Sequence, residues 1–314
     1  LYFQRLDGAC ALVGSTVHFI DTYHTSLTNN AMPHMVWAAT SFGLVYISRT
    51  TDSYFYFTQV DVDGTAIGST TQPSWGRVPK MVWTGSEYGM TWLDNAGSSS
   101  QTRFMIMNAD GSERVAWMRV DDSLGYNYGQ TLTWTGSEFG VFWRHGGTDG
   151  NIHFTRVTPG GSEVGSDQVV VSTSGSSLSP KVTWSGSEFG LAWRDDTPGT
   201  FQPYFKRLSP TGSTVGSEVR VASMGGDANV GSLLWTGSEY AIVWSEDIGG
   251  ATRVYFNLIS PTGAIARTEI PVTGTTSNGV GPYMTWTGNE FGVTYRDDAD
   301  GTWDVMFNRI GFCD

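Results

Sequence analysis

Acidic side chains recur at one position of a repeated segment, two residues after an aromatic residue. The residues at this position are Ser48, Asp94, His145, Asp195, Glu246 and Asp297. Carboxylates placed around a rim could bind a cation or the hydroxyl groups of a polyhydroxylated ligand. Alternatively they cap the loop that follows, because Asp at the start of a turn accepts hydrogen bonds from backbone N–H groups.

Aromatic and basic residues concentrate in the long, variable loops that include residues 68–77, 121–129 and 195–202. These candidate ligand-binding residues are Tyr23, His24, Trp75, Arg77, Tyr126, Tyr128, Phe201, Tyr283 and Trp303, together with Asp94, Asp195 and Asp297. Aromatic rings flanked by Asn, Asp and Arg can stack on sugar faces, and they suit peptide ligands equally well. The structural alternative is that each ring packs against the neighbouring repeat.

Two groups of residues have the composition of metal ligands. Asp297, Asp298 and Asp300 lie beside Gly301, as in a calcium loop, but the spacing and the terminal Glu of an EF-hand are missing. His145, Asp149 and His153 share one loop and could hold zinc or copper. We predict no cofactor and no bound metal, with calcium as the alternative.

Five glutamates recur in a short turn of the repeat and invite a catalytic interpretation, because pairs of carboxylates hydrolyse glycosides. They are Glu87, Glu138, Glu188, Glu239 and Glu290. Since the repeat gives all of them the same surroundings, whereas acid and base roles need different ones, we expect them to be structural. The sequence contains no GxSxG, HExxH, P-loop, GxGxxG or CxxC motif, so we predict no catalytic residue and favour a protein that is not an enzyme.

The elements that position these residues follow from an internal repeat. Six segments align without gaps, and their first tryptophan falls at residues 37, 83, 134, 184, 235 and 286. Each segment has an apolar run ending at this Trp, a TGSE-type turn and a second run of alternating aromatic and small residues, which predicts a β-hairpin. Two further strands complete about 50 residues, the length of a propeller blade. The sequence therefore predicts an all-β, six-bladed β-propeller whose repeated tryptophans form the core between blades.

The two ends of the chain are predicted to meet. Residues 12–21 resemble a fourth strand, and the last repeat ends after its third strand, so we expect the N-terminal strand to complete the last blade. The only two cysteines, Cys10 and Cys313, would then form a disulfide at the seam, which implies export from the cell. Residues 1–4 look like the remnant of an expression tag, which leaves residues 5–314 as a single domain.

The segments MVWTGSEYGMTW (81–92) and VTWSGSEFGLAW (182–193) resemble the repeats of six-bladed propellers in secreted and surface proteins of bacteria, notably myxobacteria. Residues 296–307 are more distantly similar to the blades of TolB-type propellers, which would imply a protein-interaction role. The SxDxGxxW motif that marks sialidase propellers does not occur at the predicted turns between third and fourth strands.

Composition narrows the choice of partner. The net charge of −12 and a pI near 4.7 disfavour nucleic acid, and no apolar run is long enough for a membrane helix. We therefore expect a secreted or surface binding module that recognises a ligand, foremost a glycan, on its variable loops. The alternatives are a protein-protein interaction scaffold and a metal-assisted hydrolase or lyase in the central funnel.

Overall fold

A computed structural model shows an all-β chain that folds as a six-bladed β-propeller. The structure describes residues 2–7, 11–18, 32–49, 53–94, 99–121, 125–146, 150–274, 277–298 and 301–311. Cys10, Cys313, Tyr23 and His24 lie outside these residues, so the predicted disulfide and two of the candidate ligand-binding residues are not described. No helix in the described ranges is long and apolar enough to cross a membrane.

Five blades are four-stranded antiparallel sheets whose strands follow chain order. Blade 1 comprises β3 (His34–Ala38), β4 (Ser41–Arg49), β5 (Ser53–Val60) and β6 (Ala66–Thr71). Blade 2 comprises β7 (Arg77–Trp83), β8 (Glu87–Leu93), β9 (Thr102–Asn108) and β10 (Glu113–Arg119). Blade 3 comprises β11 (Asn127–Trp134), β12 (Phe139–His145), β13 (Ile152–Val157) and β14 (Gln168–Val171).

The remaining strands form blades 4 to 6. Blade 4 comprises β15 (Ser177–Trp184), β16 (Phe189–Asp195), β17 (Gln202–Leu208) and β18 (Thr214–Arg220). Blade 5 comprises β19 (Asp227–Trp235), β20 (Tyr240–Ile248), β21 (Ala251–Ile259) and β22 (Ile270–Pro271). Blade 6 has three strands in the described residues, β23 (Val280–Trp286), β24 (Glu290–Asp297) and β25 (Asp304–Gly311).

The contacts divide the chain into two compact units. The first contains residues 1–141 and 155–167, and the second contains residues 142–154 and 168–314. Blades 1 and 2 therefore belong to the first unit, and blades 4, 5 and 6 belong to the second.

The N-terminal segment differs from the prediction. Strand β1 (Tyr2–Leu6) pairs with β2 (Leu12–His18) in a two-stranded sheet, so the strand expected to complete the last blade pairs locally instead. Asp7 and Ala11 hold the two strands together beyond their last paired residues, because the Asp7 carboxylate accepts the backbone N–H of Ala11 and the Asp7 N–H donates to the Ala11 carbonyl. Residues 2–4, expected to lie outside the fold, are part of β1, and YFQRL (2–6) resembles YFKRL (204–208) of blade 4.

This N-terminal hairpin packs against blade 1 as a third and a fourth strand of a preceding blade would. A Cβ built on Gly64, in the last turn of blade 1, would meet the side chains of Phe3 and Val17 at 2.6 and 2.9 Å. A Cβ built on the corresponding Gly111 of blade 2 would meet the side chain of Phe57, which lies on the third strand of blade 1. The hairpin therefore covers the glycine turn of blade 1 in the same manner.

The repeated TGSE turn is structural, as predicted. In blade 2 the Thr84 hydroxyl accepts the backbone N–H of Glu87 at 3.0 Å, and the Thr84 N–H donates to the Glu87 carbonyl at 2.9 Å. Four of the turn glutamates form ion pairs with an arginine of the same blade, Glu87 with Arg114, Glu138 with Arg156, Glu188 with Arg207 and Glu290 with Arg309.

Neighbouring blades interlock through the aromatic residue and glycine that follow this turn. A Cβ on Gly43 would meet Tyr88 of the next blade at 2.6 Å, one on Gly89 would meet Phe139 at 2.3 Å, and one on Gly190 would meet Tyr240 at 2.5 Å. Only glycine leaves room for these rings. The second tryptophans of the motif, Trp92, Trp143, Trp193 and Trp244, are fully buried, which confirms their predicted core role. The first tryptophans are less buried than predicted. They are half-buried in blades 2 to 6, and in blade 1 Trp37 is 48% exposed and packs edge-on against Phe42.

The first strand of a blade carries a bulge at a recurrent position. The register shifts between Arg77 and Lys80 in blade 2, and between Leu178 and Lys181 in blade 4. Val78 and Ser179 lie inside these bulges with φ values of 54° and 55°. Gly129 and Gly281 take the same conformation in blades 3 and 6, with φ values of 61° and 59°.

Candidate functional site

An open pocket lies on blade 2 and is lined by Ser74, Trp75, Trp92, Asp94, Arg103 and Trp117. Its volume is about 210 Å³, counting the open mouth. Two of the six residues, Trp75 and Asp94, are among the predicted ligand-binding residues. All six belong to the first compact unit.

Three strands and one loop position these side chains. Trp92 on β8 is paired with Arg103 on β9, and β10 carries Trp117 beside that pair. Trp75 comes from the loop before β7 and is fixed by a bridge to Tyr54. Trp92 is buried with 1% exposure, whereas Trp75 and Trp117 are 46% and 51% exposed. The pocket thus has a buried indole below and two accessible indoles at its mouth.

An ion pair supplies the polar part of the pocket. The Arg103 Nε donates to Asp94 Oδ2 at 2.7 Å, and its Nη2 lies 2.5 Å from the same oxygen. Asp94 Oδ1 accepts the backbone N–H of Gln101 at 2.9 Å. The Arg103 guanidinium also lies over the Trp117 ring, 4.6 Å from its centroid. Asp94 therefore holds Arg103 in place, and Trp117 rests against the cation.

Blade 2 departs from blades 1, 3, 4 and 5 at this point. In those blades an aromatic residue of the third strand stacks on the second-strand ring, as Tyr56 does on Tyr46, Tyr204 on Trp193 and Tyr255 on Trp244. His153 stacks on Trp143 in the same way in blade 3. In blade 2 Arg103 replaces this ring and turns to Asp94, which leaves space above Trp92.

The other acidic residues at the position of Asp94 cap loops. Asp195 is 1% exposed and accepts hydrogen bonds from Ser177, Thr173 and the Thr197 backbone at 2.7, 2.8 and 2.9 Å. Glu246 accepts the Gly226 N–H at 2.9 Å, and Asp297 accepts the Asn278 N–H at 3.1 Å. These contacts match the structural alternative stated for the rim carboxylates.

Burial and hydrogen bonding act in opposite directions on Asp195. Burial alone would raise the pKa of its carboxyl, but the hydrogen bonds from Thr197, Ser177 and Thr173 outweigh burial, and the net pKa lies below its ordinary value. Asp195 is therefore ionised at neutral pH.

A second buried carboxyl, Asp121, lies at the end of β10. It accepts the Thr102 backbone N–H at 2.6 Å and hydrogen bonds from Arg119 and Asn127. Burial raises the pKa of Asp121, although the Thr102 N–H, Arg119 and the nearby Arg103 lower it in part. Asp121 thus anchors the start of β9 from the side opposite Asp94.

The remaining predicted residues lie outside this pocket. Tyr126 and Tyr128 are accessible and stack on each other with ring centroids 6.4 Å apart. Phe201 lies under Arg194 at 4.4 Å, and Trp303 lies under Arg296 at 5.3 Å. Arg77 and Tyr283 are exposed. The structure thus places these residues on or beside blades 2, 3, 4 and 6.

Trp117 and Arg103 were not among the predicted ligand-binding residues. Trp117 lies on the outer strand β10 and Arg103 lies on β9, so neither belongs to the variable loops on which the prediction was based. The repeat contains the missing signal, because Arg103 stands where blades 1, 3, 4 and 5 have Tyr56, His153, Tyr204 and Tyr255.

The predicted metal ligands show no metal-binding geometry within the described ranges, where no three His, Cys, Asp or Glu side chains come together. Asp298 accepts the side-chain amide of Asn278 at 2.7 Å. Asp149 and Asp300 lie outside the described residues.

Comparison with known proteins identifies the fold. No family model and no curated protein matches the chain. Among solved structures it is similar to the GH93 α-L-arabinofuranosidase of Fusarium graminearum in complex with arabinobiose, with a TM-score of 0.60 at 10% identity over 90% of this chain and 93% of that one. It is also similar to a subtype N10 neuraminidase-like protein of A/little yellow-shouldered bat/Guatemala, with a TM-score of 0.59 at 9% identity over 91% and 96% of the two chains.

A third similar structure is a PL25 ulvan lyase bound to -[GlcA(1-4)Rha3S]-, with a TM-score of 0.54 at 11% identity over 88% and 83% of the two chains. At such low identity these similarities establish the propeller fold alone.

Proposed function

We propose that this protein binds a glycan at the pocket of blade 2. The observation that carries the proposal is the combination of two accessible indoles, Trp75 and Trp117, with the Arg103–Asp94 ion pair. Flat aromatic rings contact the apolar faces of sugars, and a fixed guanidinium donates hydrogen bonds to sugar oxygens. A few convergent polar groups in a largely aromatic pocket are the usual composition of a ligand site.

The solved structures support this ligand class. The arabinofuranosidase is described with arabinobiose and the ulvan lyase with a bound oligosaccharide, so two proteins of the same fold act on glycans. These two descriptions support a glycan as the ligand class of this chain.

The pocket favours binding over glycoside hydrolysis. Hydrolysis normally needs two carboxylates on either side of the scissile bond. Among the residues that the structure describes, Asp94 is the one carboxylate that lines this pocket. Its Oδ1 accepts a hydrogen bond from Gln101 and its Oδ2 accepts one from Arg103. It is thus committed to holding Arg103.

Glycan-array screening followed by calorimetry tests the proposal. We expect Trp117→Ala to weaken binding of an array hit by about tenfold or more, because an aromatic contact and the stacking partner of Arg103 are lost together. Trp75→Ala should act in the same direction. Near-ultraviolet circular dichroism of each variant checks that the fold is kept.

Trp303→Ala is the matched control, since Trp303 is also exposed and also lies against an arginine but does not line the pocket. The affinity of the Trp303→Ala variant for the array hit should equal that of the unaltered protein. Binding that depends on Trp303 and not on Trp117 would place the site on blade 6, and a blank array would contradict the proposal as a whole.

We propose also that the protein acts outside the cytoplasm, at the cell surface or in secreted form. This rests on the two cysteines, Cys10 and Cys313, at opposite ends of the sequence. A disulfide between them would persist only in an oxidising compartment.

A further inference from the structure

We infer that the blade 2 pocket selects an uncharged sugar residue, with Arg103 as the specificity-determining donor and Asp94 as the residue that positions it. This inference rests on the proposed glycan-binding function and names the class of sugar. It is carried by the hydrogen-bonding capacity of the pocket and by its charge.

The pocket is open to solvent on the side of its two accessible indoles. Its volume of about 210 Å³ includes this open mouth. Trp75 and Trp117 are 46% and 51% exposed, so both rings are open to a sugar that approaches from solvent.

Hydrogen-bond donors dominate the polar part of the pocket. Asp94 already accepts from Gln101 and twice from Arg103, so its acceptor capacity is largely used. Arg103 uses Nε and Nη2 in the ion pair, and its Nη1 has no hydrogen-bond partner among the residues that the structure describes. The Ser74 hydroxyl lines the same space. Sugar hydroxyl and ring oxygens are suitable acceptors for these groups.

The charge of the pocket disfavours an acidic sugar. Asp94 is 3% exposed and neutralises Arg103 at 2.5 Å, so the pair has no net charge. The whole chain carries −12, which repels polyanions on average. A uronate would have to approach Arg103 against both effects, whereas a neutral sugar meets neither.

The experiment measures calorimetric affinities for three pairs of oligosaccharides of equal length, each with one neutral and one uronate member. The pairs are fragments of galactan with galacturonan, of mannan with mannuronan, and of cellulose with glucuronan. Within the pair that the protein binds, we expect the neutral oligosaccharide to bind about tenfold more tightly than the uronate. The affinity of the neutral oligosaccharide should change little between low and high salt. Equal affinities, or a preference for the uronate, would overturn this inference and leave glycan binding in place. Failure to bind any of the six oligosaccharides or any glycan of the array would contradict the proposed function itself.

Two variants locate the selectivity at the ion pair. Asp94→Asn leaves the charge of Arg103 uncompensated, so uronate binding should tighten by about tenfold, more so at low salt. Asp195→Asn, the equivalent change in blade 4, should leave both affinities unaltered. Arg103→Lys keeps the charge but loses the planar fork, and should weaken binding of the neutral sugar by about tenfold. Unchanged selectivity in both pocket variants would refute the role given to the pair.

Discussion

Asp94 and Asp195 occupy equivalent places in their blades, yet their surroundings give them different work. Asp94 holds an arginine at the edge of a pocket, whereas Asp195 accepts hydrogen bonds from Thr173, Ser177 and Thr197. The sequence showed that these positions recur, and it suggested loop capping as one explanation. It could not show that Arg103, nine residues after Asp94, would turn back to it, since that contact depends on the pairing of β8 with β9.

The lowered pKa of Asp195 makes a prediction about acid stability. Because the pKa of its carboxyl is lower in the folded than in the unfolded protein, ionised Asp195 stabilises the fold above the ordinary Asp range. That contribution is lost as pH falls through the folded-state pKa. Asp195→Asn should cost about 1 to 3 kcal/mol at neutral pH.

Urea unfolding at neutral pH and at about pH 3 measures this effect. The gap between the unaltered protein and Asp195→Asn should shrink in acid. Glu113→Gln, at an exposed position of β10, controls for the change in net charge. A gap that is the same at both pH values would show that ionised Asp195 contributes nothing.

Among the elements, the β-hairpin of each blade was well predicted because its signals are local. The Thr or Ser hydroxyl, the Gly with positive φ and the alternating second strand all lie within one short segment. The bulge in the first strand was not predicted. The residues with positive φ at this position are Val78, Gly129, Ser179 and Gly281. Because their side chains differ, the sequence does not reveal that they share one backbone conformation.

Val78 should destabilise the first strand of blade 2. A β-branched residue at a φ of 54° is strained, and glycine takes the same conformation in blades 3 and 6. We expect Val78→Gly to raise the free energy of unfolding by about 1 kcal/mol. The reciprocal change Gly129→Val should lower it, and urea unfolding measures both. A loss of stability in Val78→Gly would show that the contacts of the valine side chain outweigh the strain.

At the scale of the whole molecule, six tryptophan-containing repeats were enough to predict the propeller. The pairing of the N-terminal strand was not predicted. Residues 12–21 resemble a fourth strand, but residues 2–6 also resemble a third strand, 204–208, and the two N-terminal strands pair with each other. The pocket was also beyond a search of single segments, since it combines one loop with β8, β9 and β10.

The predicted disulfide between Cys10 and Cys313 can be tested directly. Intact mass and peptide mapping without reductant should show one cross-linked peptide pair and no free thiol. In the chain-entropy model a cross-link across so long a loop stabilises by up to about 5 kcal/mol, so reduction should lower the melting temperature clearly. Two free thiols in protein prepared under oxidising conditions would disprove the disulfide and remove the argument for export.

The near-equivalence of the blades also makes the pocket transferable. Blade 4 already has Trp193 and Asp195 where blade 2 has Trp92 and Asp94, and Ser176, Tyr204 and Glu218 stand where blade 2 has Trp75, Arg103 and Trp117. Three substitutions in blade 4 would therefore place three indoles and the ion pair on a second sheet. A chain with two such sites would engage a polymeric ligand through avidity, with no new type of contact. The scaffold thus allows valency to be engineered separately from the affinity of a single site.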